Sequence, residues 1–112
     1  MNAPVQGISP QELKARLDAG EDIVVIDVRM PYELDITQLD FAEHIVLDEL
    51  PERMQEVPQD KPVVVVCRSG GRSQQACMFL ATRGWEPSNL YNLEGGILRW
   101  ARDVDPTLPT FY

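Results

Sequence analysis

The sequence predicts an α/β fold built on a mainly parallel sheet, and three observations carry that expectation. Residues 23–28 (Ile23, Val24, Val25, Ile26, Asp27, Val28) form a β-branched run with no polar alternation before Asp27. Val63, Val64, Val65 and Val66 repeat the pattern directly after Pro62. Continuous apolar runs of this length suit strands covered on both faces, as in a parallel sheet. The third observation is that segments with helical apolar spacing separate these runs, and strands alternating with helices are the pattern of an α/β architecture.

The first helix is signalled by Ser9 at its N-cap, Pro10 at the first helical position and Glu12 three residues after the cap, a capping box. Ile8 and Leu13 stand at the two positions of a hydrophobic staple, and Gly20 is placed to end the helix. After the 23–28 strand, a short strand is expected at 44–47. A short helix is expected over 50–57, with Leu50, Met54 and Val57 on one side. Beyond the 63–66 strand the helical pattern runs from Ser73 to Arg83. Its expected apolar face holds Ala76, Phe79, Leu80 and Arg83, with Cys77 and Ala81 beside them, and Gly84 closes it. A further short strand falls at 89–92. The last helix starts near Gly95 and Gly96 and is expected to bury Ile97, Trp100, Ala101 and Val104. No internal repeat is visible, so the chain reads as one domain over 1–112. Residues 105–112, with two prolines, form a C-terminal tail expected to run over the surface.

A chain of 112 residues with 44% hydrophobic and 25% charged residues has the composition of a globular protein. Asp and Glu outnumber Lys and Arg 18 to 10. That balance argues against nucleic acid as the main ligand, because a phosphate backbone rewards a basic face. The acidic excess serves solubility or forms a face for a basic partner. No apolar run approaches the ~20 residues that span a bilayer. The start, Met1-Asn2-Ala3-Pro4, lacks the basic flank and apolar stretch of a signal peptide. A cytoplasmic protein with no membrane partner is therefore expected. In a reducing compartment Cys67 and Cys77 are free thiols. Together with a single histidine, His44, they are too few for a four-ligand zinc site, so no metal is expected.

The chemistry is expected in the segment Cys67-Arg68-Ser69-Gly70-Gly71-Arg72-Ser73, between a buried strand and an amphipathic helix. Ligands of open parallel sheets bind outside the carboxyl ends of the strands, which is where Cys67 falls. Gly70 and Gly71 let the loop curl without a Cβ penalty. A curled loop turns its N–H groups inward as an anion-binding nest, and the following helix adds its positive end. Arg68 and Arg72 contribute formal charge. All of these favour a thiolate, so the Cys67 pKa is expected below its free value of about 8.5. The same field suits a persulfide anion or an anionic sulfur donor such as thiosulfate. Asp27 and Arg29 lie at the end of the second buried strand and are expected to support the site. Arg29 is read as pairing with a carboxylate or an incoming anion, and Asp27 as orienting an arginine or capping a loop. Cys77 falls mid-helix near the apolar face and is read as a packing residue, with resolution of a Cys67 persulfide as the sharper alternative. His44 is read as structural or surface. Phe111 and Tyr112 either pack back on the domain or dock a partner.

These residues resemble the rhodanese family over nearly the whole chain. The motifs are Asp27-Val28-Arg29 followed by Pro31-Tyr32-Glu33, then Cys67 to Ser73, then Glu94-Gly95-Gly96-Ile97 with Trp100. The resemblance implies a rhodanese-like α/β fold, a central mainly parallel five-stranded sheet flanked by helices on both faces. It also implies a catalytic Cys67 and a loop that holds a persulfide through its backbone N–H groups. Leu50-Pro51-Glu52-Arg53 and the stretch from Gly95 through Trp100 to Asp105-Pro106 are similar to rhodanese domains fused to adenylyltransferases that activate sulfur-carrier proteins. Where the family commonly writes His-Ile-Pro-Gly-Ala, an ungapped count places Gln38-Leu39-Asp40-Phe41-Ala42 here, a departure expected to affect the cleft rim.

The activity so implied is sulfurtransfer from a donor such as thiosulfate, through a Cys67 persulfide, to cyanide, a thiol or a sulfur-carrier protein. It calls for no cofactor and no metal. A cysteine-based phosphatase or arsenate reductase is the related alternative, but its signature places five residues between cysteine and arginine. Here four separate Cys67 from Arg72, and the required position is Ser73. A non-catalytic interaction module of the same fold is the alternative from another class, and thiol reactivity discriminates it.

Overall fold

The computed structural model describes residues 5–112; the Met1-Asn2-Ala3-Pro4 start, read above for a targeting signal, lies outside them. Five strands appear: β1 (Gln6–Ile8), β2 (Val24–Asp27), β3 (Ala42–His44), β4 (Val63–Val66) and β5 (Leu90–Leu93). They form one sheet in the order β1-β5-β4-β2-β3, with every neighbouring pair parallel. The helices are α1 (Pro10–Asp18), α2 (Pro31–Leu34), α3 (Leu50–Arg53), α4 (Gly71–Thr82) and α5 (Gly96–Asp103). The start of α1 follows its capping signal, with the Glu12 N–H donating to Ser9 Oγ at 3.1 Å.

Side chains of a strand alternate between faces, and β4 divides the core accordingly. Val63 and Val65 pack with Leu50 of α3 and with Ala76, Cys77 and Leu80 of α4. Val64 and Val66 pack on the opposite face with Leu13 of α1 and with Ile97 and Trp100 of α5. An all-valine strand thus serves two cores at once, which is why its sequence shows no alternation.

The helix expected over 50–57 ends at Arg53 and gives way to a 3-10 turn over Met54–Glu56, and four further elements depart from the sequence reading. β1 is three residues on the sheet edge with only Ile8 buried, too short and mixed to carry a pattern. The third strand lies at 42–44, not 44–47. Ile45 and Leu47 nevertheless donate backbone hydrogen bonds to Asp27 and Val28, so the chain follows β2 past the strand's end. α4 starts two residues early, and its buried stripe is Ser73, Ala76, Cys77 and Leu80; Phe79 is half-buried and Arg83 exposed. A buried serine had disguised the true face. Finally, the tail does not simply cross the surface. Leu108 and Tyr112 pack against the α1/α5 core, while Phe111 is 86% exposed.

Candidate functional site

The carboxyl ends of β2, β4 and β5 lie side by side in the sheet, and each leads into a residue group at one rim. β4 delivers Cys67, which is 1% exposed. Gly70 then adopts φ +117°, a left-handed conformation that a side chain would strain. This turn aims the Gly70 N–H at Cys67 Sγ, 3.0 Å away. α4 begins at Gly71, and its third residue, the fully buried Ser73, places its hydroxyl 3.3 Å from the same sulfur.

The loop is held from behind by α5. Gly95 and Gly96 both take positive φ, +74° and +62°, and turn the helix start against the cysteine loop. The Ile97 N–H donates to the Cys67 carbonyl at 2.9 Å and the Leu98 N–H to the Arg68 carbonyl at 3.2 Å. A Cβ on Gly96 would stand 2.6 Å from the Cys67 carbonyl oxygen. With loop carbonyls held by α5, the amides are left to face the sulfur. Burial pushes the Cys67 thiol up, but the Ser73 hydroxyl and the N–H groups of Ser73, Gly70 and Ser69 outweigh it. The net effect holds the thiol below its ordinary value.

The expected arginine field is arranged differently. Arg72 forms a two-pronged pair with Glu33, at 2.5 Å and 2.9 Å. The arginine stays within Coulombic reach of the sulfur, but its donors belong to the carboxylate. Arg68 is exposed and turns to the tail, donating from Nε to the Tyr112 carbonyl at 2.6 Å with its guanidinium over the Tyr112 ring. The loop amides and the Ser73 hydroxyl, rather than two free arginines, stabilise the thiolate. Ser69 stays exposed, and Gly71 opens α4 with nothing within 4 Å of where a Cβ would stand.

Arg29 is fully buried and takes the carboxylate partner, not an incoming anion. It pairs with Asp27 at 2.8 Å, and its remaining N–H groups meet the Thr37 carbonyl, the Tyr112 hydroxyl and the Glu33 carbonyl. All five guanidinium donors have acceptors. His44 is structural, its Nε2 lying 2.6 Å from the Arg29 carbonyl. Cys77 is buried against the Tyr91 carbonyl, and burial pushes its thiol up to about 12.

Three neighbours of the site escaped the sequence reading as site residues. Glu33 is 2% exposed and accepts from Arg72, the Met30 N–H and the Tyr112 hydroxyl. Arg72 above all holds its carboxyl down to about 2. Its position just inside α2 after Pro31 was the available signal. Asn92 accepts from the Ser73 hydroxyl at 2.5 Å and donates to the Gly70 carbonyl at 3.1 Å. A polar residue in the strand Leu-Tyr-Asn-Leu was its only mark. Tyr112 carried no signal as a site residue, because the residues it meets there, Arg68, Glu33 and Arg29, lie 44, 79 and 83 positions away in sequence.

A family model described as a rhodanese-like domain matches residues 9–103. A protein named sulfurtransferase from Allochromatium vinosum is 40% identical over 98 residues, covering 88% of this chain and 90% of that protein. A probable adenylyltransferase/sulfurtransferase, MoeZ, from Mycobacterium tuberculosis is 37% identical over 103 residues. The match covers 90% of this chain and 26% of that protein. Among solved structures, a rhodanese-related protein from Thermoplasma volcanium superposes with a TM-score of 0.77 at 31% identity, covering 93% of this chain and 95% of that one.

Proposed function

The chain belongs to the rhodanese family, and from that premise we propose that it is a sulfurtransferase that carries sulfane sulfur as a persulfide on Cys67. The observation that carries this reading is a buried sulfur at the end of a central strand with the Gly70 N–H 3.0 Å and the Ser73 hydroxyl oxygen 3.3 Å from it. Such a cradle stabilises a sulfur anion without a metal or a fixed counter-charge. The kinship with named sulfurtransferases over nearly their full length supports the same activity.

The reaction is ping-pong. The Cys67 thiolate attacks the outer sulfur of an anionic donor such as thiosulfate; a new S–S bond forms, the old one breaks, and sulfite leaves with the electron pair. The persulfide anion is held by the N–H groups of Ser69, Gly70 and Ser73. A nucleophilic acceptor then attacks the outer sulfur, the Cys67 thiolate departs as leaving group, and the cycle closes without net redox change. Cyanide or a thiol serves as this nucleophilic acceptor. With an activated sulfur-carrier protein the polarity reverses, the persulfide's outer sulfur attacking the activated acyl group and displacing its leaving group. Two equivalents of a thiol reductant then split the acyl disulfide into thiocarboxylate and Cys67 thiol and leave as a disulfide. The carrier-protein acceptor follows from the kinship with MoeZ, whose name joins adenylyltransferase and sulfurtransferase. Arg72 and Arg68 border the mouth, Arg72 fixed by Glu33 and Arg68 free to engage a donor when the tail shifts. Asp27 and Arg29 brace the wall behind Glu33. In this reading 1–112 is one rhodanese domain with 105–112 as a tail that closes over one rim.

The test is intact-mass analysis after incubation with thiosulfate, beside Cys67→Ser. A gain of one sulfur atom, removed by cyanide and absent in Cys67→Ser, is expected. No gain from thiosulfate or from a persulfidated cysteine desulfurase would sink the reading in favour of a binding module.

A further inference from the structure

One hydroxyl proton at the site has three acceptors. Ser73 Oγ lies 3.3 Å from Cys67 Sγ, 3.2 Å from the Gly70 carbonyl and 2.5 Å from Asn92 Oδ1. Ser73 is fully buried, so no solvent competes. A hydroxyl carries a single proton and can donate to one of these at a time. The short distance assigns it to Asn92.

The amide cannot avoid this role by turning over. Its Nδ2 donates to the Gly70 carbonyl at 3.1 Å, and a flipped amide would set Oδ1 against that carbonyl oxygen. Gly70 is the residue whose own N–H reaches the sulfur, and its φ of +117° ties that N–H and the carbonyl to one loop shape. The loop therefore orients Asn92, and Asn92 in turn holds the serine proton away from the sulfur. β5 places Asn92 opposite Val65 in the sheet register, two residues before Cys67 on the adjacent strand.

We propose that Asn92 is a positioning residue that competes with Cys67 for the Ser73 hydroxyl proton, and so sets how far the sulfur is stabilised as an anion. With a neutral thiol the proton stays on the Asn92 side. When the sulfur becomes a thiolate, rotation about the Ser73 Cβ–Oγ bond moves the O–H toward it, at the cost of the bond to Oδ1. The competition keeps the thiolate from being over-stabilised. That matters because a thiolate's nucleophilicity falls as its pKa falls, while its quality as a leaving group rises. Asn92 thereby balances the two half-reactions of sulfur transfer. The proposal rests on Cys67 being the reacting sulfur, as set out above, but its test needs no sulfur donor.

The experiment measures iodoacetamide alkylation rate against pH, scored by intact mass, for the wild type, Asn92→Leu, Ser73→Ala and the double variant. Asn92→Leu frees the hydroxyl for the sulfur and should move the alkylation midpoint down by roughly half a pH unit. Ser73→Ala should move it up. In the Ser73→Ala background Asn92→Leu should have no effect, since the two act through one proton. Asn92→Ala, which only deletes atoms from a half-buried position, is read in the same way should the leucine variant fail to fold. A midpoint that stays or rises in a folded Asn92 variant overturns the proposal. So does a lowering that persists without Ser73, because Asn92 would then act by another route. A wild type that alkylates as expected but never gains sulfur would refute the sulfurtransferase reading and leave this one standing.

Discussion

Cys67 and Cys77 are both free and both buried, yet their surroundings give them opposite chemistry. At Cys77 burial acts alone and pushes the thiol up to about 12. At Cys67 the same penalty is present, but hydrogen bonds to the anion exceed it. Alkylation near neutral pH should therefore label one thiol in the native protein and two in denaturant. Cys67→Ser should abolish the native label, and Cys77→Ser should leave it in place. Labelling of Cys77 at a comparable rate would contradict the burial argument.

The decisive contact between elements is that of α5 with the cysteine loop. Its first N–H groups bind the Cys67 and Arg68 carbonyls, which requires two successive left-handed residues at Gly95 and Gly96. Gly96→Ala adds a Cβ at φ +62° directly against the Cys67 carbonyl. A backbone held in this region costs a non-glycine residue about 1–3 kcal/mol, and the clash is with backbone that cannot swing aside. The expected outcome is a loss of that size in urea unfolding, with sulfur transfer reduced further because the loop amides are displaced. Gly71→Ala is the contrast: with open space around its Cβ and a helical position, its stability should change by less than about 1 kcal/mol. Equal effects would mean that α5 does not brace the loop.

Across the whole molecule, Glu33 joins pieces that are far apart in the chain. It ties α2 to Arg72 of α4 and to Tyr112 of the tail, while Arg29 beneath ties β2 to the same tyrosine. The Glu33 carboxyl is held at about 2 against an ordinary 4.5. A depressed carboxyl contributes stability that is complete above its unfolded pKa and lost as pH falls toward the folded one. The shift corresponds to roughly 3 kcal/mol. Stability should thus fall between about pH 5 and pH 2, and Glu33→Gln should flatten much of that decline while lowering stability near neutrality. Unfolding midpoints measured against pH decide this; an unchanged acid slope in Glu33→Gln would show that the pair carries no net free energy. Tyr112→Phe removes the hydroxyl that Arg29 donates to and Glu33 accepts from. It should cost about 1–2 kcal/mol and loosen the tail, read as faster proteolysis after residue 104.

The sequence by itself determined whatever depends on local pattern: the buried strands within 23–28 and at 63–66, the start of α1, and the glycine-bearing loop after β4. Burial on both sheet faces imposes its own composition, and a cap or a positive φ imposes its own residue type, so these are written in consecutive residues. The tertiary structure decided which partner each charge takes. Arg72 and Arg68 read as a positive field because their sequence neighbours hold no carboxylate. Glu33 and Tyr112 reach them across 39 and 44 residues. The same holds for Ser73, a polar residue that belongs to a buried stripe only because Cys67 and Asn92 stand opposite it. Electrostatic and hydrogen-bond partners are chosen by distance in space, and no spacing along the chain encodes a contact that the fold alone creates.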